Sequence, residues 1–184
     1  ASAEIYELVW SNFCDWYIEF CKVAIQKSDN VDQTNSLIKN LIINFYSILE
    51  LLHPFMPFIT EELSSKLADL ASIEKSGFLV ENGFSHTESS DQNNEIQLDK
   101  IINIISALRV IRAENQNIKS ETLNLIISND LNSDTQSIII ENEGVISGIA
   151  KLGKIEFSDQ VPAESIENTM DGYKIIIPLE GLID

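Results

Sequence analysis

Four cations crowd one short part of an otherwise acidic chain. Lys100, Arg109, Arg112 and Lys119 share residues 100–119 with a single acid, Glu114. Residues 1–71 carry four lysines against ten acids, and residues 120–184 carry three against twelve, so the sequence has no other clearly positive stretch. The chemistry open to it is contact with phosphate, because clustered cations draw anions out of solution. The whole chain, with 12 basic and 29 acidic residues and a net charge of −17, is too acidic for a general nucleic-acid binder. A contact to RNA, if electrostatic, would begin at this stretch.

Reactive groups are otherwise scarce. His53 and His86 are the only histidines, and His86 stands in a polar run where solvation accounts for it. Glu61 and Glu62 point about 100° apart on a helix, so they cannot work as an acid–base pair; their place near a helix start is explained by the helix dipole. No nucleophile has a base at a recognisable spacing, and no glycine-rich phosphate loop is present. Cys14 and Cys21 lie seven residues apart on one helix, which puts their Cα atoms ~10 Å apart at 1.5 Å per residue, too far for a disulfide. Without a C-x-x-C pair they are not zinc ligands and read as reduced core thiols. We expect no catalytic centre, no metal site and no cofactor in this chain. Apolar content of 44% suffices for a core. No apolar run reaches the ~18–20 residues of a membrane span and the N-terminus shows no signal peptide, so the expected location is cytoplasmic.

The elements that must position these groups are mostly helical. From Glu4 to about Gln26, Ile5, Val9, Phe13, Trp16, Phe20 and Val23 recur at helical spacing, and Trp10 and Tyr17 extend the stripe into an expected aromatic core. Lys22 and Lys27 sit near the end of this helix, where cations favour the dipole. Asp32 is placed to cap a second helix, whose stripe runs Ile38, Leu41, Ile42, Phe45, Ile48, Leu49 and Leu52. Pro54 ends it and is expected to push His53 out of helical geometry. Pro57 suits the first position of a third helix, lined by Ile59, Leu63, Leu67 and Leu70. Residues 72–97 are polar and aperiodic, a loop or linker. A fourth helix from Leu98 to about Asn115 buries Ile101, Ile104, Ile105, Leu108 and Ile111. Arg112 lies about 20° from Ile105 around this helix and Arg109 about 40° on the other side. Each is therefore either held by acids of the bundle or offered to a groove at the helix end.

From Thr122 the period becomes two. A strand from Thr122 to Ser128 is followed by a helix capped by Ser133 or Asp134 and running to about Asn142. A second helix from Val145 to Leu152 is ended by Gly153, and Lys154–Phe157 is a short strand. Asp171-Gly172 is a two-residue hairpin signal joining Ser165–Met170 to Tyr173–Ile177. The fold class is mainly α: a bundle of about four helices (residues 1–71 and 98–119, with 72–97 between them), then a small α+β subdomain over 120–184.

Three stretches carry a resemblance. "YELVWSNFCDWYIEFCK" (6–22), "LLHPFMPFITEEL" (51–63) and "ALRVIRAENQNI" (107–118) are similar, in order and spacing, to the C-terminal anticodon-binding region of valyl-tRNA synthetases, members of the class I aminoacyl-tRNA synthetases. The proline-linked corner is shared with isoleucyl and leucyl relatives; "CDWYIE" with "IRAE" points to the valyl branch. The resemblance spans nearly the whole chain. It implies a parent that makes valyl-adenylate from valine and ATP with Mg²⁺ and passes the acyl group to tRNA(Val), using catalytic and editing domains upstream. The signatures of that chemistry, His-x-Gly-His and Lys-Met-Ser-Lys-Ser, are missing from this chain. Its own part would be to hold the anticodon stem-loop, whose unstacked bases are read by stacking and edge hydrogen bonds.

Lys22, Arg109 and Arg112 fall on family motif positions and are the expected tRNA contacts. Lys119 joins them by local charge and Asn117 as a polar reader. The sequence departs from the family at Ser64, where relatives have tryptophan. It also lacks the usual Trp-Pro pair in the 72–97 connection and the proline in the loop after "IRAE". Two alternatives stand beside this reading: the same domain of an isoleucyl or leucyl enzyme, and an acidic helical protein-interaction module.

Overall fold

A computed structural model describes residues 2–71, 77–82, 91–115, 118 and 121–179. The chain divides into two compact units, residues 1–89 and 90–184, each taken by itself below.

The first unit is helical. Ser2–Glu7 (α1) continues through a wider π-helical stretch, Leu8–Tyr17, into Ile18–Lys27 (α2). The Ile18 amide bonds the Phe13 carbonyl five residues back, so each residue turns less about the axis than in an α-helix. A stripe drawn at 3.6 residues per turn therefore drifts. Phe13 is buried and stacks on Tyr17 and on Phe45 of the next helix, with centroids 5.6 and 5.8 Å apart. Trp10, expected in the same core, is 58% exposed and stacks on exposed Tyr6. Both cysteines are free; Cys21 is buried and Cys14 only half so. Val31–Leu52 (α3) packs on α2, and Asn44 Nδ2 donates to the Tyr17 hydroxyl at 2.8 Å. Its cap is Asn30, which accepts from the Asp32 and Gln33 amides, so Asp32 lies inside the first turn rather than at the cap.

The double-proline corner follows, with one correction. His53 keeps helical geometry (φ −55°, ψ −41°) although it precedes Pro54. The bias against that conformation is overridden by the turn's own bonds: the His53 amide reaches the Glu50 carbonyl, and the Phe55 and Met56 amides both reach Leu52. Pro57 begins Pro57–Ala71 (α4). The buried ridge of α4 is Thr60, Ser64 and Ala68, small residues four apart; of the expected stripe, Ile59 and Leu70 are exposed and Leu63 and Leu67 only half-buried. Small side chains let α4 lie close to α3, and polarity is tolerated because both hydroxyls bond within their own helix. Thr60 Oγ1 lies 3.0 Å from the Met56 carbonyl and 3.1 Å from that of Pro57. It also lies in hydrogen-bond reach of His53 Nδ1, at 2.8 Å. Ser64 Oγ donates to Glu61 O at 2.9 Å. Glu61 accepts from the Leu79 amide, at the start of the short helix Leu79–Asn82 (α5), and Glu62 pairs with Lys66 at 3.0 Å. These partners, rather than the dipole of α4, occupy the two acids.

The second unit opens with Gln92–Glu114 (α6). It begins six residues before Leu98 because Asp91, inside the polar run, accepts from the Asn93 and Asn94 amides. That run thus contains α5 and the start of α6; residues 72–76 and 83–90, His86 among them, lie outside the described residues. The stripe Ile101, Ile104, Ile105, Leu108 and Ile111 is buried as the spacing requires. It is covered by Ser133–Glu141 (α7) and Glu143–Ala150 (α8), so α6 is grouped with the sheet that follows it rather than with the three long helices before it.

Four strands form one sheet in the order β2-β1-β4-β3: Leu123–Ile127 (β1), Leu152–Phe157 (β2), Ser165–Met170 (β3) and Tyr173–Pro178 (β4). Strands β1 and β2 are parallel and the other pairs antiparallel. A parallel pair needs a long crossover, which α7 and α8 supply. Leu123, Leu125 and Ile127 are fully buried with Ile175 and Ile177. The hairpin is as expected: Asp171 (φ 43°) and Gly172 (φ 90°) both take the positive φ of a type I′ turn. Two caps differ. Asn132, not Ser133 or Asp134, accepts from the Thr135 amide at 2.8 Å. Helix α8 ends at Ala150 with Lys151 left-handed (φ 53°, ψ 55°), while Gly153 sits in β2, where an added Cβ would stand 3.1 Å from Asn124 Oδ1.

Asp159, after β2, accepts from the Asn129 amide (2.8 Å) and Nδ2 (2.9 Å), after β1. These bonds, the side-chain one foremost, hold its carboxyl below the usual carboxylate range. A depressed folded pKa stabilises above the unfolded value and ceases to do so as pH falls through the folded one. The Asn129 amide resonance should therefore titrate with a midpoint below ~3.9 and lose that step in Asp159→Asn. A midpoint above that value contradicts the clamp.

Candidate nucleic-acid interface

The positive stretch does not form one face. Lys100 and Arg109 are nine residues apart, about 180° around α6 at 100° per residue. Lys100 Nζ donates to Thr135 Oγ1 at 3.0 Å and is turned toward α7. Arg109 is exposed. Asn117 and Lys119 lie outside the described residues.

Arg112 is turned back into its own unit rather than offered to a groove; it is a fastener. One terminal nitrogen donates to the carbonyls of Ile118 and Glu121, both at 2.8 Å, and the other to those of Ala150 (3.0 Å) and Lys151 (3.1 Å). The planar fork of a guanidinium can serve four acceptors at once. It ties the end of α6 to the chain leading into β1 and to the end of α8. The α8 carbonyls carry the negative end of that helix dipole, which favours a cation there. Burial pulls the guanidinium below its ordinary pKa, but arginine remains charged at any working pH.

Beside this fastener lies a cleft of about 280 Å³, bounded by Leu108, Arg109 and Ala113 of α6 and by Ile149 and Lys151 at the end of α8. Lys151 is exposed, and among the described residues its ammonium forms no ion pair. Three basic residues, Arg109, Arg112 and Lys151, thus line one cleft in a strongly acidic chain. Sequence reasoning missed Lys151 because α8 was carried through it to Leu152; the usable signal was a lysine at the last turn of an apolar helix. Lys22, in the first unit, is exposed and donates to Glu19 Oε1 at 2.6 Å. It is five residues from the end of α2, whose last-turn cation is Lys27, so the capping reading does not apply to it. An exposed pair of this kind contributes about 0–1 kcal/mol and leaves the ammonium available for exchange.

The chain has clear relatives among known proteins. It belongs to the family described as the anticodon-binding domain of tRNA ligase, whose model matches residues 1–127. Among individual proteins, it is 31% identical to the valine–tRNA ligase of Francisella tularensis over 98% of this chain and 33% identical to that of Lactobacillus acidophilus over 100%. The chain spans only 20% and 21% of the lengths of those two relatives.

Proposed function

We propose that this chain is the anticodon-binding part of a valine–tRNA ligase and that it positions tRNA(Val) for valylation carried out elsewhere in a longer parent. The observation that carries this reading is the family match over residues 1–127, supported by the likeness to valine–tRNA ligases along almost the whole chain. The proposed contacts are Lys22, Arg109, Lys119 and Asn117, with Arg112 holding the second unit in shape. Valine, ATP and Mg²⁺ would be handled by the parent's other domains. Among the described residues no group of three or more His, Cys, Asp or Glu is placed to hold a metal ion. No described helix is long and apolar enough to cross a membrane; the parent would work in the cytoplasm.

Charge sets the affinity. Acidic surfaces repel phosphates over a Debye length of ~8 Å at physiological salt, so binding should be weak and steeply salt-dependent. Titrating an anticodon stem-loop of tRNA(Val) at 50 and 200 mM salt should show affinity falling by at least an order of magnitude, on the order expected for a few phosphate contacts. A stem-loop with a scrambled anticodon should bind less well than the native one. Equal binding of the two, or binding indifferent to salt, would overturn the reading.

A further inference from the structure

We propose that the cleft between the end of α6 and the end of α8 is a backbone-phosphate site for RNA, with Arg109 and Lys151 as its two donors and Arg112 as the residue that holds its walls together. This extends the RNA-contacting surface past residue 127, where the family match stops, onto the crossover between β1 and β2; it rests on the anticodon-binding reading above. Arg109 and Lys151, from the ends of two different helices, both line the cleft. Leu108 and Ile149 also line it, and the carbonyls that would repel an anion, those of Ala150 and Lys151, are already capped by Arg112.

The backbone at Lys151 points the same way. A left-handed helix end is the usual place for glycine, because any Cβ is strained there. Lys151 holds φ 53°, and glycine stands only two residues later, at a position whose φ is not left-handed. A lysine kept in a conformation that suits glycine is accounted for if its ammonium is used.

That strain supplies a clean test, since Lys151→Gly removes the cation from a backbone that glycine tolerates better. The variant should keep or raise its thermal midpoint while its affinity for the tRNA(Val) stem-loop drops about fivefold. The slope of log K against log salt should become shallower by about 1, and the loss should be the same for native and scrambled anticodons, as for a phosphate contact. Lys154→Ser changes net charge equally but removes a lysine paired with Glu156 on β2; it should leave affinity unchanged. Unaltered affinity and slope in Lys151→Gly, with the wild-type chain still selecting its anticodon, would overturn the site alone. An equal loss in Lys154→Ser would overturn it as a bulk charge effect, and a loss confined to one anticodon would replace phosphate contact by base reading. A wild-type chain that binds no stem-loop would overturn this site and the anticodon reading together.

Discussion

Arg112→Ala should destabilise the second unit by about 3 kcal/mol. A hydrogen bond to a charged group contributes roughly 1.5–3 kcal/mol, and a buried acceptor left without its donor loses about as much. Of the four carbonyls served, those of Ile118 and Ala150 are in part-buried bonds, while those of Glu121 and Lys151 are at the surface. Water can replace the donor at the surface pair, so the loss is dominated by the buried two. Arg112→Lys should recover only a minor share, because one ammonium cannot fork to both sides of the gap. Both tryptophans lie in the first unit, so fluorescence would miss the effect. Hydrogen exchange at the Leu125 and Ile127 amides in β1 reports it directly. A loss below about 1 kcal/mol, the scale of an ordinary hydrogen bond, would mean the four bonds are not holding the unit.

Arg109→Glu should behave in the opposite way. Its side chain is exposed, so the fold should keep its stability, while affinity for the tRNA(Val) stem-loop falls about thirtyfold. That corresponds to about 2 kcal/mol, roughly twice the effect of removing one phosphate-contacting cation, because the substitution both removes a positive charge and adds a negative one. The contrast matters for experimental design. Reversing both arginines together would destabilise the second unit through Arg112, and the resulting loss of affinity could not be assigned to recognition. Wild-type affinity in Arg109→Glu alone, with the fold intact, would favour the competing reading of an acidic helical module that binds protein rather than RNA.

Much of the architecture was legible because it depends on local rules. The apolar stripe of α6, the double-proline corner, the alternation of β1 and the Asp171-Gly172 turn each follow from periodicity or from the φ a residue can adopt. Elements were misjudged where a local rule had competitors. Any of several Asn, Asp and Ser residues near a helix start can cap it, and the choice fell on Asn30, Asp91 and Asn132. The π-helical stretch broke the 3.6-residue period and put Trp10 at the surface. The stripe of α4 was misread because the ridge facing α3 is built from Thr60, Ser64 and Ala68, which a search for large apolar residues passes over.

The candidate site divides in the same way. Sequence by itself determined the family and the cationic character of residues 100–119, because these depend on residue type and order. It could not separate Arg109 from Arg112, which differ by under one helical turn. Tertiary structure decided that one is exposed and the other is consumed by four carbonyls from segments up to 39 residues away. It also brought Lys151 to the cleft. The physical reason is that a hydrogen-bond acceptor leaves no mark on composition or periodicity: any backbone carbonyl can serve, and only the fold fixes which ones stand within reach.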